Sequence, residues 1–168
     1  MFLRRPTALL AFAMIVLSLA AALSPSSARA ADGRYALVIG NGNYATVPDL
    51  PNARTDAQHV GAKLAGIGFD VTLGLDLDAT GFSNAVADFR AKLKTGNARN
   101  VVFYYSGHGF ALKGYNFLVP VDATLNDRDS IGRETLALDR IISAIRTSPV
   151  QETAIFLDAC RNNPFHPG

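Results

Sequence analysis

Tryptophan is absent from this sequence, cysteine occurs once, and charged residues make up only 18% of the 168 positions. One cysteine cannot close an internal disulfide, so the chain is not a disulfide-stapled scaffold. Low charge beside 49% hydrophobic residues excludes an intrinsically disordered chain, and 14 glycines are far too few for a collagen repeat. Acidic residues are missing altogether from the first thirty positions, where Arg4, Arg5 and Arg29 are the only charges. Setting those three aside leaves 13 of the 16 basic residues against 14 acidic ones, so the formal +2 becomes −1 over positions 31–168. Bulk charge therefore points to no nucleic-acid or membrane-surface partner. What remains is one domain's length of chain with enough apolar residues to bury a core.

The first thirty residues read as an address. Arg4 and Arg5 form a positive start, positions 7–23 carry no charge, and Ala28-Arg29-Ala30 is a small-residue cleavage site. The run is just long enough to span a bilayer. Ser24-Pro25 and the Ala-x-Ala site favour a signal peptide cut after Ala30 over an anchor, so an exported protein, periplasmic or secreted, with no stable span after cleavage is expected. The arginine pair lacks the rest of a twin-arginine signal. A lone cysteine in an oxidising compartment is either a buried leftover or a thiol with a task.

Positions 31–168 alternate strands and helices. Strands are predicted over 35–39, 69–73, 100–105 and 153–157, each a short apolar run bounded by turn residues. A helix is expected over 53–65, capped by Asn52, with Ala53, Ala57, Val60 and Leu64 on its buried face. Gly61 falls on that face and weakens the helix by about 1 kcal/mol relative to Ala. A second helix over 81–95 carries the core stripe Phe82, Val86, Phe89 and Leu93. A third over 138–146 buries Ile141, Ile142 and Ile145. Residues 110–121 read as a hairpin around Lys113-Gly114. The pattern predicts an α/β fold, a mainly parallel sheet with helices on both faces.

Ligands of open α/β sheets bind beyond the carboxyl ends of the strands. His108 follows the strand over 100–105, and Cys160 follows the strand over 153–157, which should be its neighbour. A thiolate nucleophile needs a base to take its proton, and imidazole titrates in the right range. Gly107 and Gly109 flank the histidine and let the backbone come close. The Gly109 N–H, with that of Cys160, is the candidate oxyanion hole. Taken alone, each residue reads as a satisfied loop histidine or a buried thiol; taken together they favour catalysis.

The blocks YYSGHG at 104–109 and FLDACRNNPF at 156–165 resemble the caspase-like cysteine peptidases, specifically the bacterial metacaspase relatives. RYALVIGN at 34–41, LPNARTDA at 50–57 and YNFLVPVD at 115–122 fit the same pattern, in order. The resemblance implies a three-layer caspase-like (caspase-hemoglobinase) fold, with His108 as base or acid, Cys160 as nucleophile, and peptide-bond hydrolysis through a thioester. Relatives that cut after aspartate carry an arginine where Leu50 stands here; Arg54 is off that register and is expected to be a solvated first-turn side chain. Metacaspases use acidic residues instead, and the matching positions are Asp56 and Asp158. Such a pair would attract Arg or Lys of a protein or peptide substrate. Asp56 can also serve simply as a helix-dipole partner, and Asp158 as a strand-end acceptor.

Many metacaspases bind calcium through aspartates. Asp122 matches one and Asp139 a second, but the six to eight oxygen ligands calcium takes are not found. No metal or other cofactor is therefore assigned, and Asp127-Arg128-Asp129 is expected to be an exposed turn. A caspase-like domain continues for about two strands past its nucleophile, whereas little follows Cys160, which leaves an apolar strand edge to be covered. The expectations are a fragment, a sheet completed by a second chain, or an inactive binding module that pairs through that edge. GNGNYA at 40–45 imitates a dinucleotide fingerprint, but Pro48 and Pro51 make it a loop rather than a helix start. Ser106 is in no Gly-x-Ser-x-Gly elbow, and His59 and His166 lack partners at metal-ligand spacing.

Overall fold

The computed structural model describes residues 33–127 and 129–159; the expected leader at 1–30, Arg128, Cys160 and His166 lie outside them. The described elements are β1 (Arg34–Gly40), α1 (Ala53–Gly66), β2 (Asp70–Leu75), α2 (Ala79–Thr95), β3 (Asn100–Ser106), β4 (Gly109–Leu112), β5 (Tyr115–Leu118), α3 (Ile131–Glu134), β6 (Leu136–Ala137), α4 (Leu138–Arg146) and β7 (Glu152–Asp158). Strands β2, β1, β3 and β7 form, in that order, a wholly parallel sheet.

The central strand β1 shows why the sheet needs helices on both faces. Its side chains alternate between them. Tyr35, Leu37 and Ile39 enter a core shared with Phe82, Phe89 and Leu93 of α2 and Ile141 and Ile145 of α4, while Ala36 and Val38 pack with Ala57 of α1. The α1 side is built of small residues, so that helix comes close. A Cβ on Gly40 would lie 2.5 Å from the Ala53 carbonyl oxygen. This close approach holds the start of α1, and Asp56 with it, against the carboxyl end of β1.

Boundaries depart from expectation where a partner decides them. Asn52 sits at the start of α1 in helical backbone with no side-chain cap bond. The capping occurs at α2 instead: Asp78 accepts the Gly81 N–H at 2.6 Å, so that helix begins at Ala79 rather than Gly81. β2 runs from Asp70 to Leu75, not over 69–73, because its register against Tyr35–Gly40 of β1 sets its ends. The hairpin β4–β5 is tighter than 110–121. Lys113 and Gly114 both adopt positive φ, 51° and 85°, as a two-residue hairpin turn requires. The short α3 and β6 were not expected, since four and two residues leave no periodic pattern. Asp127 and Asp129 are exposed, as the turn reading requires.

Candidate active site

Parallel strands of equal length end together, and the candidate residues sit at that edge. Ser106 pairs with Asp158 as the last residues of β3 and β7, and the Gly107 N–H donates to the Asp158 carbonyl at 3.2 Å. His108 leaves the sheet two residues past Ser106, and the chain leaves β7 through Ala159. Cys160 lies outside the described residues.

His108 is half-buried and held from several directions. Its ring is tilted against Tyr44, centroids 4.6 Å apart. Its Nε2 lies 2.7 Å from the Pro48 carbonyl oxygen. A carbonyl can only accept, so Nε2 carries a hydrogen, and in the neutral ring that tautomer leaves the lone pair on Nδ1. The His108 N–H donates to the Tyr44 hydroxyl at 2.8 Å, and the Tyr105 hydroxyl donates to the His108 carbonyl at 2.7 Å. Burial is the main reason both phenols titrate above their usual value, Tyr105 well above, so each stays neutral at physiological pH.

The loop that carries Tyr44 and Pro48 is tied down by carboxylates. Asp76 accepts from the Gly42 and Asn43 N–H groups at 2.8 and 3.0 Å, and Asp49 accepts from the Tyr44 N–H at 2.8 Å. Arg54 is an exposed first-turn side chain, as expected, and it is paired as well. Its Nε is 3.1 Å from Asp76 Oδ2, because the loop after β2 brings Asp76 over the first turn of α1.

Gly109 opens β4. The Val119 N–H donates to the His108 carbonyl, so the Gly109–Leu118 pair falls on a non-hydrogen-bonded step of the ladder. Its N–H therefore points away from β5, and Gly109 lines a small cleft with Leu157 and Ala159.

Asp56 and Asp158 do come together: both line one open cavity of about 430 Å³ with Leu50, Ser106 and Ala159. Asp56 is half-buried and Asp158 exposed. The buried Ser106 places its Oγ 3.5 Å from Asp158 Oδ2. Leu50 also lines the cavity, and no described residue lining it is basic. Burial raises the Tyr104 phenol above its usual value; the charges of Asp158 and Asp56 add to that, while a bond to Ser106 opposes it. The cavity is a negatively charged recess.

The two aspartates matched to calcium ligands lie apart from this recess. Asp122 accepts the Ala79 N–H at 2.9 Å, and Asp139 lines a separate cavity between α2 and α4. Among the described residues no group of three His, Cys, Asp or Glu side chains is arranged to hold a metal, and no helix is long and apolar enough to cross a membrane. His59 is exposed.

Four contributors to the site were not read from the sequence: Tyr44, Pro48, Tyr105 and Ser106. Tyr105 and Ser106 sit inside the YYSGHG block and were open to notice. Pro48 acts through its main-chain carbonyl, which leaves no residue signature.

Comparison with known proteins agrees with this architecture. A family model described as the caspase domain matches residues 33–168. Over 131 residues, 78% of this chain, the sequence is 32% identical to the human "Mucosa-associated lymphoid tissue lymphoma translocation protein 1". It is 31% identical over the same length to the mouse homolog of that protein. The chain spans only 15% of the length of either relative. With its parallel sheet flanked by helices and a domain match over most of its length, the chain belongs to the caspase-domain family of peptidases.

Proposed function

We propose that this protein is a cysteine endopeptidase that uses His108 and Cys160 and cleaves after arginine or lysine. The observation that carries the reading is the paired register of Ser106 and Asp158. It makes the strands leading to His108 and Cys160 adjacent and parallel.

In this mechanism the Cys160 thiol gives its proton to Nδ1 of His108, and the thiolate sulfur attacks the scissile carbonyl carbon. The Gly109 and Cys160 N–H groups donate to the oxygen on which charge develops. The carbonyl re-forms as the C–N bond breaks, and His108 returns its proton to the departing amine. Water, losing a proton to His108, then attacks the thioester carbonyl; the C–S bond breaks and the thiol is restored. The Pro48 carbonyl supports this role by holding the hydrogen on Nε2 throughout. Asp56 and Asp158 would receive the guanidinium or ammonium of the residue before the cleaved bond.

A second reading, a binding module that engages a partner through β7, is favoured by the apolar exposure of that strand, outermost among the described residues, where Phe156 is 56% exposed. Export is proposed on Arg4-Arg5, the uncharged run and Ala28-Arg29-Ala30 alone. A mature protein whose mass corresponds to residues 31–168 is the expected product; retention of the first thirty residues would overturn it.

The test is hydrolysis of fluorogenic peptides with Arg, Lys or Asp before the leaving group, with and without calcium, beside Cys160→Ala. Turnover of the basic peptides, lost in Cys160→Ala, is expected. Preference for Asp would keep the enzyme and remove the roles given to Asp56 and Asp158. A folded protein without turnover would favour the binding module.

A further inference from the structure

The ladder between His108 and Val119 is broken on one side. The Val119 N–H donates to the His108 carbonyl at 3.0 Å, as an antiparallel pair requires. The reciprocal donor goes elsewhere. The His108 N–H is taken at 2.8 Å by the Tyr44 hydroxyl. The Val119 carbonyl is meanwhile occupied by Asn41 Nδ2 and by the Tyr105 hydroxyl, each at 3.1 Å. That phenol has one hydrogen, shared between the Val119 carbonyl and the His108 carbonyl, which is the nearer at 2.7 Å. Side chains from two elements, the loop after β1 and strand β3, thus hold both polar groups of one main-chain residue. Gly107 makes the arrangement possible: a Cβ there would lie 2.5 Å from the Tyr105 hydroxyl oxygen and 2.8 Å from that of Tyr44.

Packing alone does not call for these hydroxyls. A phenylalanine at position 44 would fill the same space and keep the ring against the imidazole. It would leave the His108 N–H without its acceptor, and the nearest regular substitute is the Val119 carbonyl. Taking that bond would restore the ladder and rotate His108 about its own strand.

We propose that Tyr44 and Tyr105 are positioning residues for His108: by intercepting its N–H and C=O they interrupt the β-ladder at that residue and aim the imidazole at Pro48 with Nδ1 free. The inference rests on the Cys-His reading above. It assigns no proton transfer to either phenol; their part is direction.

Cys160 is the sole cysteine, so iodoacetamide alkylation of the full chain reads one thiol. The pH dependence of that rate reports how readily a neighbour takes its proton. In Tyr44→Phe the alkylation profile should move toward that of His108→Ala. On an Arg peptide kcat should fall by about tenfold or more with KM nearly unchanged, the signature of misplaced catalytic groups. Tyr105→Phe should move both readouts the same way. Leu93→Ala, buried at the far end of α2, should lower the melting temperature and leave the profile unchanged. A Tyr44→Phe profile superposed on wild type, while that of His108→Ala departs, would overturn the positioning role and leave the dyad standing. If His108→Ala also superposes, the dyad falls and this inference with it. A Leu93→Ala shift equal to that of Tyr44→Phe would reduce the effect to lost stability and overturn it as well.

Discussion

The two halves of the candidate site, at one edge of the sheet, are built on opposite rules. At His108 every polar group except the Nδ1 that is to accept the proton has a partner: its N–H meets a phenol, its carbonyl meets a phenol and a main-chain N–H, and Nε2 meets Pro48. At Asp56 and Asp158 the carboxylates are nearly bare. The Asp158 carboxylate has one hydrogen-bond partner, Ser106 at 3.5 Å, and the Asp56 carboxylate has none among the described residues. A group that must move a proton along a fixed line has to be held before substrate arrives. A group that must bind a cation has to keep its lone pairs for it, and unpaired carboxylates facing one recess repel each other until it comes. The satisfied half is built for direction and the unsatisfied half for affinity.

That contrast breaks most readily at the carboxylates. Asp56→Asn and Asp158→Asn should each lower kcat/KM for Arg peptides by about tenfold to a hundredfold, chiefly through KM, because a charge-assisted bond to the substrate cation is lost. Stability should hold within about 0.5 kcal/mol or rise, since each change removes a charge with no cationic partner, and the amide oxygen in Asp158→Asn can still accept from Ser106. Urea melts beside the kinetics decide it: a loss of several kcal/mol in either variant would make these aspartates structural and dissolve the contrast.

On the other side, Gly107→Ala should act through the phenols. Its Cβ would press on both hydroxyls, and relieving that overlap should cost about 1–3 kcal/mol of stability, the range for overpacking. The same variant should lower kcat more than it raises KM, opposite to the aspartate variants. Equal changes in KM for both classes would mean the two halves are not separable.

How much of this was legible follows from where the information resides. The stripe Phe82, Val86, Phe89 and Leu93 was readable because burial on one helix face writes a period into the sequence, and all four are buried. The turn at Lys113-Gly114 was readable because positive φ selects residues. The meeting of Asp56 and Asp158 in one recess needed the family resemblance, since one comes from α1 and the other from β7. The Arg54–Asp76 pair and the Pro48 carbonyl depend on where two loops cross in space, and no local pattern encodes that. Asn52 misled for a related reason: a residue type suited to capping caps only if the backbone turns the right way, and here it is already helical.

A carboxylate far from the recess sharpens the same distinction at its mildest. Glu134 of α3 accepts the Leu125 and Thr124 N–H groups at 2.9 and 2.7 Å, and those bonds hold its carboxyl below the usual carboxylate range. They also hold Leu125, whose φ of 50° is costly for a side chain without help. A carboxyl whose pKa is lower in the folded than in the unfolded chain stabilises the fold fully above the unfolded value, and that contribution fades as pH drops through the folded one. Between neutral pH and pH 3, Glu134→Gln should therefore lose less stability than wild type, starting from a slightly lower value. Urea midpoints of the two proteins at a series of pH values measure it, and a wild-type acid slope unchanged in Glu134→Gln would mean its bonds do not anchor the loop.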